Sequence, residues 1–233
     1  MTRTVPQRAA AGLNAAAVHV EVGLRGARAR GPLLGVGLHV SSVPLIARAE
    51  DRRLVLDTGR RRVTARAVAV AAGVRHALEA PGDVTIWYFE PGTLDWPELA
   101  PGRAGALSGP RLRQLEELDT TLLASPGRVT HAAVAQALEA LRRDPSLETR
   151  ALAELVQRSP SRLRHAFIET IGVNASRYRW WLRLRLAALS LRQGRSLTDA
   201  SHEAGFSDAA HFSRTFRRAF GFPPSLLVAA AGW

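Results

Sequence analysis

The chain has 233 residues, enough for one large or two modest domains. Its formal net charge is +12, from 32 basic residues, all of them Arg, and 20 acidic residues. The absence of Cys excludes disulfides and thiol chemistry. No run reaches the roughly 18 apolar residues of a spanning helix, and the Ala-rich N-terminus does not fit a signal peptide. The composition therefore predicts a soluble, cytoplasmic protein with no membrane partner.

The positive charge is concentrated toward the C-terminus. From Ser146 onward the chain carries 13 Arg and 6 acidic residues, a net charge of +7 in 88 residues. The preceding 145 residues carry a net charge of only +5. An Arg-rich coding bias explains the lack of Lys but not this uneven distribution. The asymmetry fits phosphate binding by the C-terminal part.

Short apolar runs separated by turn residues predict β structure from Ala16 to about Leu94. Turns are expected at 57–59 and 81–83, where Asp, Gly and Pro cluster. The segments that fit strands are VHVEVGL, LLGVGLHV, RRLVLDT, RRVTARAVAV and VTIWYFEP. Several short strands at this spacing predict a small sandwich or barrel.

The segment AVAVAAGVRHALEAPGDVTIWYFEPGT, residues 67–93, resembles the second half of a cupin-like sensor barrel. Metal-dependent cupins use a His-x-His pair, which is missing here because His39 has no His two residues later. No metal or cofactor is therefore predicted. His39, His76 and Trp87 are candidates for binding a small-molecule effector. The alternatives are a structural His76, an ordinary strand His39 and a Trp87 that packs in the core.

Residues 109–145 predict a helical connector. Leu112, Leu115, Leu118 and Leu122 recur on one face, and Ser-Pro-Gly at 125–127 ends this helix before a second one. The Leu stripe has two open interpretations, a homodimer interface or packing against the N-terminal domain.

The segment SLETRALAELVQRSPSRLRHAFIETIG, residues 146–172, predicts a helix, a turn and a second helix. Ser159 fits an N-cap and Pro160 a first helical residue, while Gly172 ends the helix. Apolar residues repeat every four positions on one face of the second helix. The outward side carries Ser161, Arg162, Arg164 and His165.

A similar unit follows at 196–224, SLTDASHEAGFSDAAHFSRTFRRAFGFPP, with its turn at Gly205. Phe212, Phe216 and Phe220 share one face of its second helix, and a cationic, hydrogen-bonding face opposes them. Between the units, Asn174 and Gly194 delimit a helix of roughly 19 residues, about 28 Å long. Such a rod can hold two helices near the roughly 34 Å spacing of successive major-groove segments.

The C-terminal part resembles the AraC-type family of transcriptional regulators. The resemblance covers 146–227 and is carried by LAELVQRSPSRLRHAF, RLRLAALSL and above all AGFSDAAHFSRTFRRAFGFPPS. It implies an all-helical domain of two helix-turn-helix units, in many members preceded by a cupin-like sensor. Where the family has Gly at the first turn, this chain has Gln157, so strain of order 1 kcal/mol is expected there. The family's Pro at the start of the linking helix is Ala175 here, and its β-branched core residue is Ala200.

Base readers are carried over from the family's motif position by position. In the first unit they are Ser161, Arg164 and His165. The full set of DNA-binding candidates is Ser161, Arg162, Arg164, His165, Ala209, Ala210, His211, Ser213, Arg214, Arg217 and Arg218. We expect Arg164 and Arg214 to contact guanine, because Arg bonds both O6 and N7. Ala209 and Ala210 offer only methyl contacts.

The predicted fold class is α+β: a small cupin-like β-barrel at 1–105, a helical linker at 106–145 that is a candidate for dimerisation, and an all-α DNA-binding domain at 146–233. The expected function is a sequence-specific regulator of transcription, an effector-responsive activator rather than an enzyme. Its expected partners are double-stranded DNA, a small-molecule effector, RNA polymerase and a second copy of the chain. The alternatives are a cupin-type metal-dependent enzyme with an accessory helical domain and a structural nucleic-acid binder without sequence preference.

Overall fold

The structure is a computed structural model that describes residues 19–22, 26–32, 36–94, 96–118, 129, 131–220 and 223–225. The N-terminal part consists of antiparallel strands and the C-terminal part of helices. The predicted α+β class is therefore confirmed. Within the described ranges, no helix combines the length and apolarity needed to cross a membrane.

The described strands form two antiparallel sheets that face each other. The strands are β1 (His19–Val22), β2 (Gly26–Pro32), β3 (Val36–Val40), β4 (Leu45–Ala49), β5 (Leu54–Asp57), β6 (Arg62–Ala65), β7 (Ala67–Val70), β8 (Arg75–Glu79), β9 (Asp83–Phe89) and β10 (Ala104–Ala106). One sheet has six strands in the order β1-β2-β9-β4-β7-β10. The other has four, in the order β3-β8-β5-β6.

The two sheets do not close into the expected barrel. They lie face to face over a core that includes Leu45 and Tyr88 from one sheet and Leu54, Leu56 and Leu78 from the other. The run RRVTARAVAV, expected as one strand, is broken at residue 66 into β6 and β7, which belong to different sheets. The chain therefore turns a corner from one sheet to the other, and the architecture is that of an open sandwich.

Three strands that the sequence pattern did not indicate hold the sheets together. β4 lies between β9 and β7 and is paired on both sides, while β2 pairs with β9 along its whole length. β8 joins β3 to β5. β2 is rich in Gly and Arg and ends in Pro, and β4 and β8 are only five residues long, so their own residues do not indicate a strand. Pairing with neighbours determines their conformation.

The helices in chain order are α1 (Gly109–Leu118), α2 (Ala132–Arg143), α3 (Thr149–Leu155), α4 (Pro160–Ile171), α5 (Ala175–Arg192), α6 (Leu197–Glu203) and α7 (Ala209–Phe220). The buried Leu115 of α1 packs against the outer face of the six-stranded sheet, in a cluster with Trp87 and Trp96. Leu112 packs at the edge of the same cluster. Leu112 and Leu115, at the start of the Leu stripe, therefore pack against the N-terminal domain, which is one of the two interpretations given above. Leu122 lies outside the described residues.

The helix α2 packs against α3 and α4. Its buried residues Val134, Leu138 and Leu141 share a core cluster with Phe167 of α4. The sequence assigned this helix to the linker at 106–145, and in the structure it lies against α3 and α4 of the segment at 146–233.

Candidate nucleic-acid interface

Two helix-turn-helix units, α3–α4 and α6–α7, are joined by the linking helix α5. Their second helices bury the expected faces, with Leu163 and Phe167 in α4 and Phe212 and Phe216 in α7. The 18 residues of α5 extend about 27 Å. Asn174 caps its start, since its side chain accepts a hydrogen bond from the Arg177 amide at 2.9 Å. The helical architecture predicted from sequence is therefore present.

The turns of the two units have the same backbone geometry. Gln157 and Gly205 both have positive φ, 52° and 76°. The amide of Gln157 donates to the carbonyl three residues back at 3.1 Å, and that of Gly205 does the same at 2.9 Å. Left-handed backbone suits Gly and is unfavourable for a residue with a side chain. The strain predicted at Gln157 is confirmed by its angle.

Each second helix begins with a side-chain cap. The Ser159 hydroxyl accepts from the Arg162 amide at 3.3 Å, with Pro160 as the first helical residue. In the second unit the Asp208 carboxylate accepts from the His211 amide at 2.6 Å. This bond holds the pKa of Asp208 below its usual range. A carboxylate also interacts favourably with the positive end of the helix dipole.

The outer face of α4 presents the residues predicted for base contact. Ser161, Arg162, Arg164 and His165 are all exposed. Among the described residues, neither Arg162 nor Arg164 is recorded in an ion pair. Two unneutralised guanidiniums beside a hydroxyl and an imidazole form a surface suited to phosphates and base edges.

The outer face of α7 is less uniform. Ala210, Arg214 and Arg217 are exposed, Ala209 and Ser213 are partly buried, and the side chain of Arg218 lies outside the described part. His211 is half-buried, and its Nδ1 lies 3.1 Å from the Ser207 hydroxyl. The aromatic rings of Trp180 and Phe206 lie 5.7 and 5.6 Å from its own. This packing ties His211 to the linking helix.

The three effector candidates do not share one site. His39 and His76 are paired across β3 and β8, with ring centroids 4.5 Å apart. His76 is fully buried, its Nδ1 lies 2.9 Å from the Val74 carbonyl, and its Nε2 has no recorded partner. Burial lowers the pKa of His76 to about 4 and also lowers the pKa of His39. Trp87 packs against α1 on the outer face of the other sheet.

Among the side chains that the structure describes, no group of three His, Asp or Glu residues comes together as a metal site would require. The cupin-type metal enzyme therefore has no candidate centre in the described ranges.

A buried ionic network, which sequence reasoning missed, joins the two parts of the chain. Glu90, at the end of β9, is 1% exposed, and its Oε1 accepts from Arg142 Nε at 2.9 Å and Nη2 at 2.6 Å. The Tyr178 hydroxyl on α5 donates to the same oxygen. Burial and the adjacent carboxylate raise the pKa of Tyr178 far above its usual range. No sequence signal links residues so far apart.

The turn that follows Glu90 approaches the first unit closely. Gly92 has a φ of +85°, and a Cβ placed on it would lie 2.7 Å from Cγ2 of Ile171 at the end of α4. Only Gly permits this approach. Beside the turn is a cavity of about 250 Å³. It is lined from the β domain by residues that include Trp96 and Leu99 and from the end of α4 by Glu169 and Ile171.

The comparisons with known proteins agree with this geometry. Residues 152–229 match a family model described as a helix-turn-helix domain. An AraC-like transcription regulator of Streptomyces lividans is 36% identical over 94 residues, which are 39% of this chain and 31% of that protein. The transcriptional activator RhaS of Escherichia coli is 40% identical over 75 residues, 32% of this chain and 27% of RhaS. The chain thus matches about a third of the length of these curated relatives.

The fold is similar, over most of the chain, to that of ToxT from Vibrio cholerae. A ToxT crystal structure matches with a TM-score of 0.59 and 8% identity, covering 91% of this chain and 98% of ToxT. A ToxT structure with a bound unsaturated fatty acid matches with a TM-score of 0.56 and 10% identity, covering 91% and 93%. At this identity the likeness establishes the fold alone. The matched C-terminal segment is similar to the helix-turn-helix domain of AraC-like transcription regulators.

Proposed function

We propose that this protein is a sequence-specific, DNA-binding regulator of transcription that reads two adjacent major-groove segments with α4 and α7. The supporting observation is the pair of helix-turn-helix units with the same turn geometry, held by an 18-residue helix. The expected contacts are made by Ser161, Arg162, Arg164 and His165 in one groove segment. In the other they are made by Ala209, Ala210, His211, Ser213, Arg214, Arg217 and Arg218.

The test begins with selection of bound duplexes from a random library. Arg214→Ala should weaken binding to the selected site by about 1–3 kcal/mol and relax the preference at one base pair. Arg164→Ala should do the same in the other groove segment. Arg60→Gln, at an exposed turn of the β domain, is the charge-matched control. A selection that enriches no sequence would contradict the proposal, because a regulator should prefer its site by roughly 10³-fold or more.

We extend the proposal to the domain boundary and to regulation. The DNA-binding domain begins at α2, because Val134, Leu138 and Leu141 pack with its helices. Activation through RNA polymerase and a homodimer remain part of the proposal on the strength of the family resemblance. Regulation by a small-molecule effector is supported by the cavity at the domain junction, because an occupant would touch both the β domain and the end of α4.

The cavity also favours a class of effector. Most residues in its described lining have apolar side chains, polar atoms make up the larger part of its accessible surface, and the charged residue in that lining is Glu169. A neutral or cationic amphipathic molecule therefore fits better than an anion such as the fatty acid bound in ToxT. In a thermal-shift screen, cationic aromatic amines should stabilise the full chain and should lose this effect in Glu169→Gln. Stabilisation by unsaturated fatty acids alone would contradict this assignment.

A further inference from the structure

A small cationic cleft lies on the linking helix, between the two helix-turn-helix units. It has a volume of about 170 Å³ and is lined by Ser176, Arg179, Trp180 and Arg183, all on α5. None of these residues belongs to the two faces assigned to base contact. The sequence run RYRWWLR contains the signal, alternating basic and aromatic residues.

The two guanidiniums in the cleft are held by neutral acceptors. Arg179 Nη1 donates to the Leu147 carbonyl at 2.6 Å and its Nη2 donates to the Ser176 hydroxyl at 3.2 Å. Arg183 Nη1 donates to the Gly205 carbonyl at 3.3 Å. Each acceptor fixes the position of a guanidinium without neutralising it.

The charges around the cleft are predominantly positive. Burial and the neighbouring Arg183 lower the pKa of Arg179, and the carboxylate of Glu148 offsets this only partly. Among the described residues, no carboxylate is recorded in an ion pair with either Arg. The Arg183 guanidinium lies over the Trp180 ring, 5.7 Å from its centroid, which restricts its orientation. Two fixed like charges with free N–H groups form a site for an anion.

The neighbours of the cleft relate it to the DNA. The Leu147 carbonyl lies just before α3, the first helix of the first unit. Gly205 is the turn of the second unit, and Trp180 contacts His211 in the first turn of α7. In helix-turn-helix proteins the first helix crosses the sugar-phosphate backbone and the second enters the groove by its N-terminal end. The cleft therefore lies between two elements that approach the same duplex.

We propose that this cleft binds a phosphate of the DNA backbone between the two groove segments. The inference rests on the proposed function and adds a third, sequence-independent contact to the two recognition helices. Guanidiniums and a hydroxyl suit phosphate oxygens, and a phosphate supplies the missing negative charge. Such a contact fixes the register of both units on the duplex without reading a base.

The first experiment measures how affinity depends on salt. The dissociation constants of the full chain for its selected duplex and for an unrelated duplex are measured over a range of NaCl concentrations. Arg179→Gln should raise both constants roughly tenfold and make the log–log slope shallower by about 0.9. The ratio between the two duplexes should stay unchanged. Arg60→Gln removes the same charge from a distant, exposed turn and should leave the slope as in the wild type.

The second experiment locates the phosphate on the duplex. It can be carried out with the wild-type protein alone if the Arg179→Gln variant does not fold. Ethylation of single phosphates should block binding at one position between the groove segments protected by the two units. In Arg179→Gln, ethylation at that position should have no further effect. Arg179→Lys keeps the charge and should retain most of the salt slope.

The outcomes distinguish this inference from the function on which it rests. If no sequence is selected, the proposed function fails, while the unrelated duplex still tests the cleft through its salt slope. If a site is selected but no intervening phosphate is sensitive to ethylation, the cleft assignment is overturned and the regulator remains. An unchanged salt slope in a folded Arg179→Gln variant would overturn the cleft assignment as well. The same result is expected if an acidic partner protein, rather than DNA, occupies the cleft.

Discussion

The two helix-turn-helix units have the same backbone plan but achieve it with different residues. The first has Gln157 at its left-handed turn and Ser159 as the cap of its second helix. The second has Gly205 at the turn and Asp208 as the cap. The left-handed turn therefore depends on the hydrogen bonds around it, and Gly only lowers the conformational strain at that position. A family motif can be incomplete at one position while the fold persists.

The units also differ in how they contact the β domain. The first is approached directly by the turn at Gly92, next to the end of α4, while the Glu90–Arg142–Tyr178 network attaches the flanking helices α2 and α5. The second contacts it where α7 lies against β3 of the four-stranded sheet. The β domain can thus influence the two recognition helices, α4 and α7, separately.

The largest expected effect comes from breaking the buried network that joins α2 and α5 to the β domain. Arg142→Met should lower the free energy of unfolding by about 3–5 kcal/mol, because it removes a guanidinium that pairs with the buried Glu90 carboxylate. The matched control is Arg143→Met, the next residue, which is 77% exposed and paired only at the surface with Glu139. Its effect should stay below about 1 kcal/mol. Urea unfolding measures both, and equal losses would show that the buried pair of Glu90 and Arg142 does not stabilise the chain more than a surface pair does.

The stability of the four-stranded sheet, which α7 contacts through β3, should be sensitive to acid. The pKa of His76, beside β3, is lowered to about 4 from 6.5. Since the unfolded chain takes up this proton near pH 6.5 and the folded chain only near pH 4, the contribution is complete above pH 6.5. It should be lost as the pH falls toward 4, by up to about 3 kcal/mol.

Urea unfolding between pH 4.5 and 7.5 tests this dependence. His76→Leu should flatten the difference in stability across the window, whereas the exposed His165→Leu should not. A wild-type protein and a His76→Leu variant with parallel pH profiles would show that His76 does not titrate differently on folding.

The smallest expected effects concern the two turns. Gly205→Ala should destabilise the chain by about 1–2 kcal/mol, because Ala is strained at positive φ. The added Cβ meets Arg183 only at ordinary contact distance, 3.6 Å. Gln157→Gly should stabilise by about 1 kcal/mol or less, since the greater freedom of Gly in the unfolded chain offsets part of the relief. Thermal unfolding measures the change in stability of both variants, and changes of the same sign would contradict the shared turn geometry.

The sequence alone determined the helical domain in detail. Apolar residues every four positions, the caps at Ser159 and Asn174 and the stop at Gly172 lie close together along the chain, so local rules suffice. The strain at Gln157 followed from the same local pattern. Helix boundaries depend on hydrogen bonds between residues three or four positions apart, so the residues that form them can be identified in the sequence.

Only the tertiary structure decided the rest. β2, β4 and β8 become strands through pairing with distant segments, and the corner at residue 66 separates β6 from β7. The Glu90–Arg142–Tyr178 network joins positions 52 and 88 residues apart. The cationic cleft on α5 is fixed by carbonyls of both units. Strand pairing and buried charge pairs depend on which segments meet in space, and separation along the chain does not reveal that.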